Sequence, residues 1–131
     1  MKFLAGEWLR SAESDIETID EIIDNPHLTH VVAFHSHQCI EKCLKAVFEE
    51  YEIEMDKVHN LLKLYKDVNH VFNIELDQDK LELLSKLYID ARYPSELGLL
   101  PYGKPATGDA KEFHRFAVDI HDKIKDFLES K

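Results

Sequence analysis

Three side chains on one stretch invite a chemical reading. In HSHQCIEKCLKA, residues 35–46, His37, Glu41 and Lys45 recur every four residues, the spacing that lines up side chains along one side of an α-helix. On a wheel of roughly 100° per residue, Ala33, Ile40, Leu44, Val47, Phe48 and Tyr51 share one sector. His37 and Glu41 fall inside that sector, and Gln38 and Lys45 lie along its border. A polar group on a face destined for burial costs free energy unless it finds partners. One reading is a pocket in which Glu41 orients Lys45 or a partner arginine and His37 donates a hydrogen bond. The other is a boundary network whose long side chains reach from the core edge to water.

Two further groups carry chemistry-bearing residue types. His35, Cys39 and Cys43 also run at four-residue intervals, and an imidazole with two thiols raises the question of zinc. Structural zinc usually draws on two chain segments, whereas here one helix would supply three ligands, so small residues at a helix contact are the better account and no metal is expected. Arg92-Tyr93-Pro94 closes a helical stretch just before a loop rich in Gly and Pro. A cation there complements the helix dipole, or offers a guanidinium to a phosphate or carboxylate. His27, His30 and His70 stand alone. No Gly-rich phosphate loop or nucleophile elbow is present, and no cofactor is expected.

The elements that must position these residues read as helices throughout. Apolar residues at Leu4, Trp8, Ala12, Ile16, Ile19 and Ile23 predict a helix over 4–24, stopped by Asn25-Pro26. The second runs from about Thr29, as N-cap, to Tyr51. A short one spans 59–71. Asp77 or Gln78 opens the next, with Leu81, Leu84, Leu87, Tyr88 and Ala91 inward, and Pro94 ends it. Residues 93–108 form the long loop. Thr107 or Asp109 then caps a last helix whose Phe113, Phe116, Ala117, Ile120, Ile124, Phe127 and Leu128 share a face. With no strand pattern, the expected fold is all-α: an antiparallel up-and-down four-helix bundle with one additional short helix, in one domain over 1–131.

Composition narrows the function classes. Sixteen Lys and Arg against 26 Asp and Glu give a net charge of −10, which argues against strong unaided nucleic-acid binding, since that runs on phosphate neutralisation. No run approaches the roughly 20 apolar residues of a membrane span, and MKFLAGEWLRSAESDIE lacks the apolar core of a signal peptide. Two cysteines make no disulfide framework. These features predict a soluble, cytoplasmic chain without membrane contact.

Several blocks together resemble the HEPN family (the higher-eukaryote and prokaryote nucleotide-binding domain). They are EWLRSAESDIETI, AFHSHQCIEKCLKAVF, VHNLLKLYKDV and LYIDARYP, followed by a closing helix. The most specific parts are Gln-x-x-Glu-Lys-x-x-Lys-Ala at 38–46, His-x-Leu at 59–61, and Arg-Tyr-Pro at 92–94. The resemblance implies a bundle that commonly forms a homodimer and pairs with a minimal nucleotidyltransferase, in some members as half of a toxin–antitoxin pair. It also implies a ligand groove drawing here on Gln38, Glu41, Lys42, Lys45, His59, Arg92 and Tyr93, with a nucleotide as the suggested ligand. His37 matches no motif of the family.

The ribonuclease branch of that family carries Arg, four to six residues, then His, where Arg92 stands. Residues 93–100 here read YPSELGLL, without histidine. The spacing recurs at Arg115 and His121, but these lie roughly 120° apart on the wheel, and Arg115 about 160° from Phe113, so the pair does not converge within one chain as a base and a charge stabiliser must. The sequence is therefore read as a non-catalytic nucleotide-binding or partner protein, with no catalytic residue assigned. The alternatives are a ribonuclease toxin and a plain protein-interaction module.

Overall fold

A computed structural model of the chain describes residues 1–55, 59–92 and 103–130, with the backbone alone for Ala91 and Arg92. Five helices follow in order: α1 (Phe3–Ile22), α2 (Thr29–Glu50), α3 (Leu61–Val68), α4 (Gln78–Arg92) and α5 (Thr107–Glu129). No strand occurs among the described residues, and no described helix is long and apolar enough to cross a membrane. The helical spans agree closely with those read from apolar periodicity.

α2 is the centre of the molecule. It packs against each of the other four helices, most extensively α1 and α5. Ile40, Leu44, Val47 and Phe48 of α2 are fully buried, against Leu61 and Leu64 of α3, Leu81 and Leu84 of α4, and Ile120 and Ile124 of α5. Each such side chain contributes about 1.5–3 kcal/mol by leaving water. A helix covered on so many sides has little polar face open to water, so its charged residues must find partners inside the protein.

The inward face of α1 differs from the one read from its sequence. α1 buries Ala5, Leu9, Ala12, Asp15 and Ile19, while Leu4 is 55% exposed and Trp8, Ile16 and Ile23 are half-buried. The small Ala5 and Ala12 are wholly inaccessible and permit close helix approach, and Trp8 and Ile16 pack on the core from its margin.

The caps show where local chemistry acts. Asn60 Oδ1 accepts from Lys63 N (3.0 Å) and Ser85 Oγ of α4 accepts from Leu61 N (3.0 Å), so α3 begins on two side-chain acceptors. Asp77 Oδ1 accepts from Lys80 N at 3.1 Å, as the sequence leads one to expect. Two expected caps are absent: α2 starts at Thr29 with Leu28 in the cap position, and α5 starts at Thr107 with Ala106 there, neither with a side-chain cap bond. Asp109 instead sits in the first turn of α5, where a carboxylate favours the helix dipole. α2 closes without glycine. Glu52 adopts φ 53°, and Ile53 N donates to Phe48 O at 2.9 Å, the six-to-one bond of a left-handed helix stop.

Candidate functional site

Glu41 anchors a polar cluster on one side of α2. Its carboxylate is almost wholly buried. Oε2 accepts from Lys45 Nζ at 3.0 Å, one turn along, and Oε1 lies 2.9 Å from His59 Nδ1, just before α3. A carboxylate only accepts, so His59 donates from Nδ1 and turns Nε2 outward. The His59 side chain is 46% exposed and that of Lys45 19%. Burial alone would raise the Glu41 carboxyl, but the bonds from His59 and Lys45 outweigh it and hold the group below the usual carboxylate range.

His37 lies beneath this cluster with no solvent access. Its Nε2 is 2.8 Å from the backbone carbonyl of His59, which requires the proton on Nε2. Nδ1 then carries the lone pair; it is buried, has no hydrogen-bond partner, and sits 4.0 Å from Glu41 Oε1. The ring lies flat on Tyr88 of α4 (centroids 4.1 Å, planes 12° apart), and Phe34 stacks on Tyr88 in turn at 5.5 Å. His59 leans against Tyr88 at 5.4 Å. Burial lowers the His37 pKa to about 4, against the raising effects of the His59 carbonyl and Glu41, so the ring is neutral at pH 7. The polar residues on the buried wheel sector are thus two layers: a neutral histidine against an aromatic, and a carboxylate with Lys45 and His59 at the rim.

A second cluster joins α2 to α1. Asp15, buried on α1, meets Lys42 Nζ through Oδ2 and His35 Nδ1 through Oδ1, each at 2.8 Å. Lys42 follows Glu41 by one residue and so points roughly 100° away. Cys39 and Cys43 are fully buried as free thiols. Burial, together with Cys39 beside it, pushes the Cys43 thiol well above its ordinary pKa, the opposite of a reactive or metal-binding cysteine. Among the described residues no group of three or more His, Cys, Asp or Glu is placed to hold a metal ion.

Of the residues expected in one groove, Glu41, Lys45 and His59 come together. Lys42 is engaged by Asp15, and Gln38 is half-buried on α2. The Arg92 side chain and Tyr93 lie outside the described residues. Sequence reasoning passed over Asp15, although it falls three residues after Ala12 and four before Ile19, on the buried arc of α1. It also placed Tyr88 in the apolar stripe without seeing it as the platform for His37. Arg115 is exposed, whereas His121 is buried on α5, its Nε2 2.8 Å from Glu13 Oε2 and its Nδ1 3.0 Å from Asp122 Oδ1.

Among the described residues helices are the only regular elements, and the central one carries buried histidine–carboxylate–lysine clusters. The family model for the HEPN domain matches residues 5–128, and the chain belongs to this family. No curated protein and no solved structure matches it.

Proposed function

We propose that the chain is a non-catalytic HEPN protein that binds a nucleotide beside Glu41 and His59 and acts with a small nucleotidyltransferase partner, in a toxin–antitoxin setting where the two are encoded together. The observation that carries the nucleotide reading is the Glu41–His59 bond of 2.9 Å. It pins a half-exposed imidazole with Nε2 outward, ready to accept from a ribose hydroxyl or an exocyclic amine. Gln38 stands on the same helix, one turn before Lys42. Lys42 and Lys45 are already bonded to Asp15 and Glu41, so the task of neutralising phosphate falls first to Arg92, with Tyr93 as a face for the base. In this reading the helices form an antiparallel up-and-down bundle of α1, α2, α4 and α5, with α3 as the short extra helix, in a cytoplasmic homodimer.

Calorimetric titration with ATP, GTP and a short RNA tests the reading, with Arg92→Ala and His59→Ala alongside. Binding heat for a nucleotide that is lost in both variants supports it. Silence with every ligand overturns the nucleotide part. The internal pairing of both lysines favours one second reading, an interaction module whose polar clusters set helix register. Copurification with the nucleotidyltransferase, without nucleotide binding, would select that one.

A further inference from the structure

The described large apolar side chains left in water are Met1, Phe3, Leu4, Leu83 and Ile89, and three of these five open the chain around the start of α1. Phe3 is 74% exposed and Leu4 55%. Apolar residues scattered singly over a surface need no explanation, whereas a contiguous group marks an interaction site. Here the group borders a cleft of about 570 Å³ between the start of α1 and the end of α2, floored by Phe48 and Ile53. A second cleft of about 310 Å³ adjoins it, sharing Leu4 and Glu49 and bordered by Trp8. Phe3, Leu4 and Trp8 therefore form one apolar strip along more than a turn of helix.

The charges around the strip have one dominant sign. Glu7, Glu49, Glu52 and Glu54 line the two clefts. Among the described residues the nearby basic side chains have partners: Lys2 pairs with Glu52 at 2.9 Å, Arg10 pairs with Glu7, and Lys45 binds Glu41 while standing 5.2 Å over the Trp8 ring. Glu49 accepts a hydrogen bond from the Trp8 indole N–H at 3.5 Å. An apolar strip between acidic margins complements a helix with an apolar stripe flanked by Lys and Arg, and the net charge of −10 steers a cationic partner toward it. A second copy would bring the same acidic rim against itself in a two-fold contact, and an anionic lipid surface would be repelled.

We propose that the cleft between the start of α1 and the end of α2 is a docking site for a cationic amphipathic helix of a partner protein. It borders the Glu41 cluster through Lys45, which binds Glu41 and stands over Trp8, but it is lined by other residues and does not depend on a nucleotide being bound.

Trp8 is the only tryptophan in the chain, so its emission, read without nucleotide present, reports on this site. The probe is a synthetic helix of Leu and Lys with all leucines on one face, titrated into the full-length protein. The controls are the same composition with leucines spread round the helix, and a Leu/Glu helix. The expected result is a saturable blue shift of Trp8 emission with the Leu/Lys helix, weakened by salt and weaker by about tenfold or more for the shuffled peptide and for a Phe3→Ser/Leu4→Ser protein. A Glu49→Lys/Glu54→Lys protein should lose the Leu/Lys helix and gain the Leu/Glu one. Equal binding of the shuffled peptide, a silent Trp8, or indifference to both variants would overturn the proposal. So would sedimentation of the protein alone as a dimer that Phe3→Ser/Leu4→Ser dissociates, which would give the face to self-association.

Discussion

His37 donates from Nε2 to the backbone carbonyl of His59 across 2.8 Å, and the His59 ring is itself held by Glu41 at 2.9 Å. One histidine thus fixes the main chain of the residue whose side chain meets solvent. The arrangement works only while His37 is neutral on Nδ1, since nothing but Glu41 Oε1, at 4.0 Å, faces that atom.

A dependence of stability on pH follows. Between the ordinary histidine value of 6.5 and the buried value of about 4, the unfolded chain takes up a proton that folded His37 refuses. Stability therefore falls on acidification through that interval, by about 1 kcal/mol from pH 7 to about pH 5.5 and by on the order of 3 kcal/mol in full. Glu41 acts lower on the scale. Its carboxyl is held below 4.5, so its contribution is present above that value and disappears as pH falls through the folded one. The gap between urea midpoints at the two pH values should shrink in His37→Gln, with a remainder from His30, whose pKa burial also lowers. Equal pH slopes for the two proteins would show that His37 is not the group responsible.

Asp15 is the second pressure point. Its carboxylate is 8% exposed and takes both His35 and Lys42. Removing one partner of a buried charge network leaves the others unpaired. The partners here are 24% and 22% exposed and can recover water, so Asp15→Ala should cost about 1–3 kcal/mol, below the range for a fully buried pair. Lys42→Ala, which leaves Asp15 its bond to His35, should cost less. Chemical denaturation of both variants checks the order, and a larger loss for Lys42→Ala would contradict it.

Glu52 offers a gain. With φ at 53° it occupies the left-handed region, where a side chain costs about 1 kcal/mol and glycine fits freely. Its bond to Lys2 joins groups that are 47% and 81% exposed and contributes little. Glu52→Gly should raise stability by about 0.5–1 kcal/mol, read as a higher urea midpoint with an unchanged slope. A lower midpoint would mean that Glu52 has a stabilising role other than this pair.

The contrast between Glu41 and Glu52 marks how far the sequence reads. Helix spans were legible because apolar periodicity is local, and the burial of His37 and Glu41 followed from the same wheel. Their partners did not, since His59, just before α3, and Tyr88 of α4 reach them from elsewhere in the fold and no spacing along one chain encodes that meeting. The resemblance implied one groove for Lys42 and Lys45, and the partners each takes, Asp15 of α1 for Lys42 and Glu41 for Lys45, could be read only from the packing of a 22-residue helix against all the others. The inward face of α1 was read in part: Ala12 and Ile19 are buried as the stripe implied, but Leu4 and Trp8 drew attention from Ala5 and Leu9, which face the core instead. The left-handed turn at Glu52 went unseen because its usual sign, a glycine, is missing.

Arg115 and His121 show the ribonuclease spacing but occupy opposite environments. His121 is buried between Glu13 at 2.8 Å and Asp122 at 3.0 Å and ties α5 to α1, whereas Arg115 is exposed. A structural pair and a catalytic pair then predict different results. His121→Ala should destabilise by about 1–2 kcal/mol through the lost bond to Glu13 and the small void it leaves, while Arg115→Ala should fall within about 0.5 kcal/mol of the parent. Urea denaturation reads that difference, and a fluorogenic RNA reads the other. RNA cleavage by the parent protein, abolished equally in a folded Arg115→Ala and a folded His121→Ala, would overturn the non-catalytic reading. It would also mean that two chains bring these residues together, because on α5 they point roughly 120° apart and do not converge within a single chain.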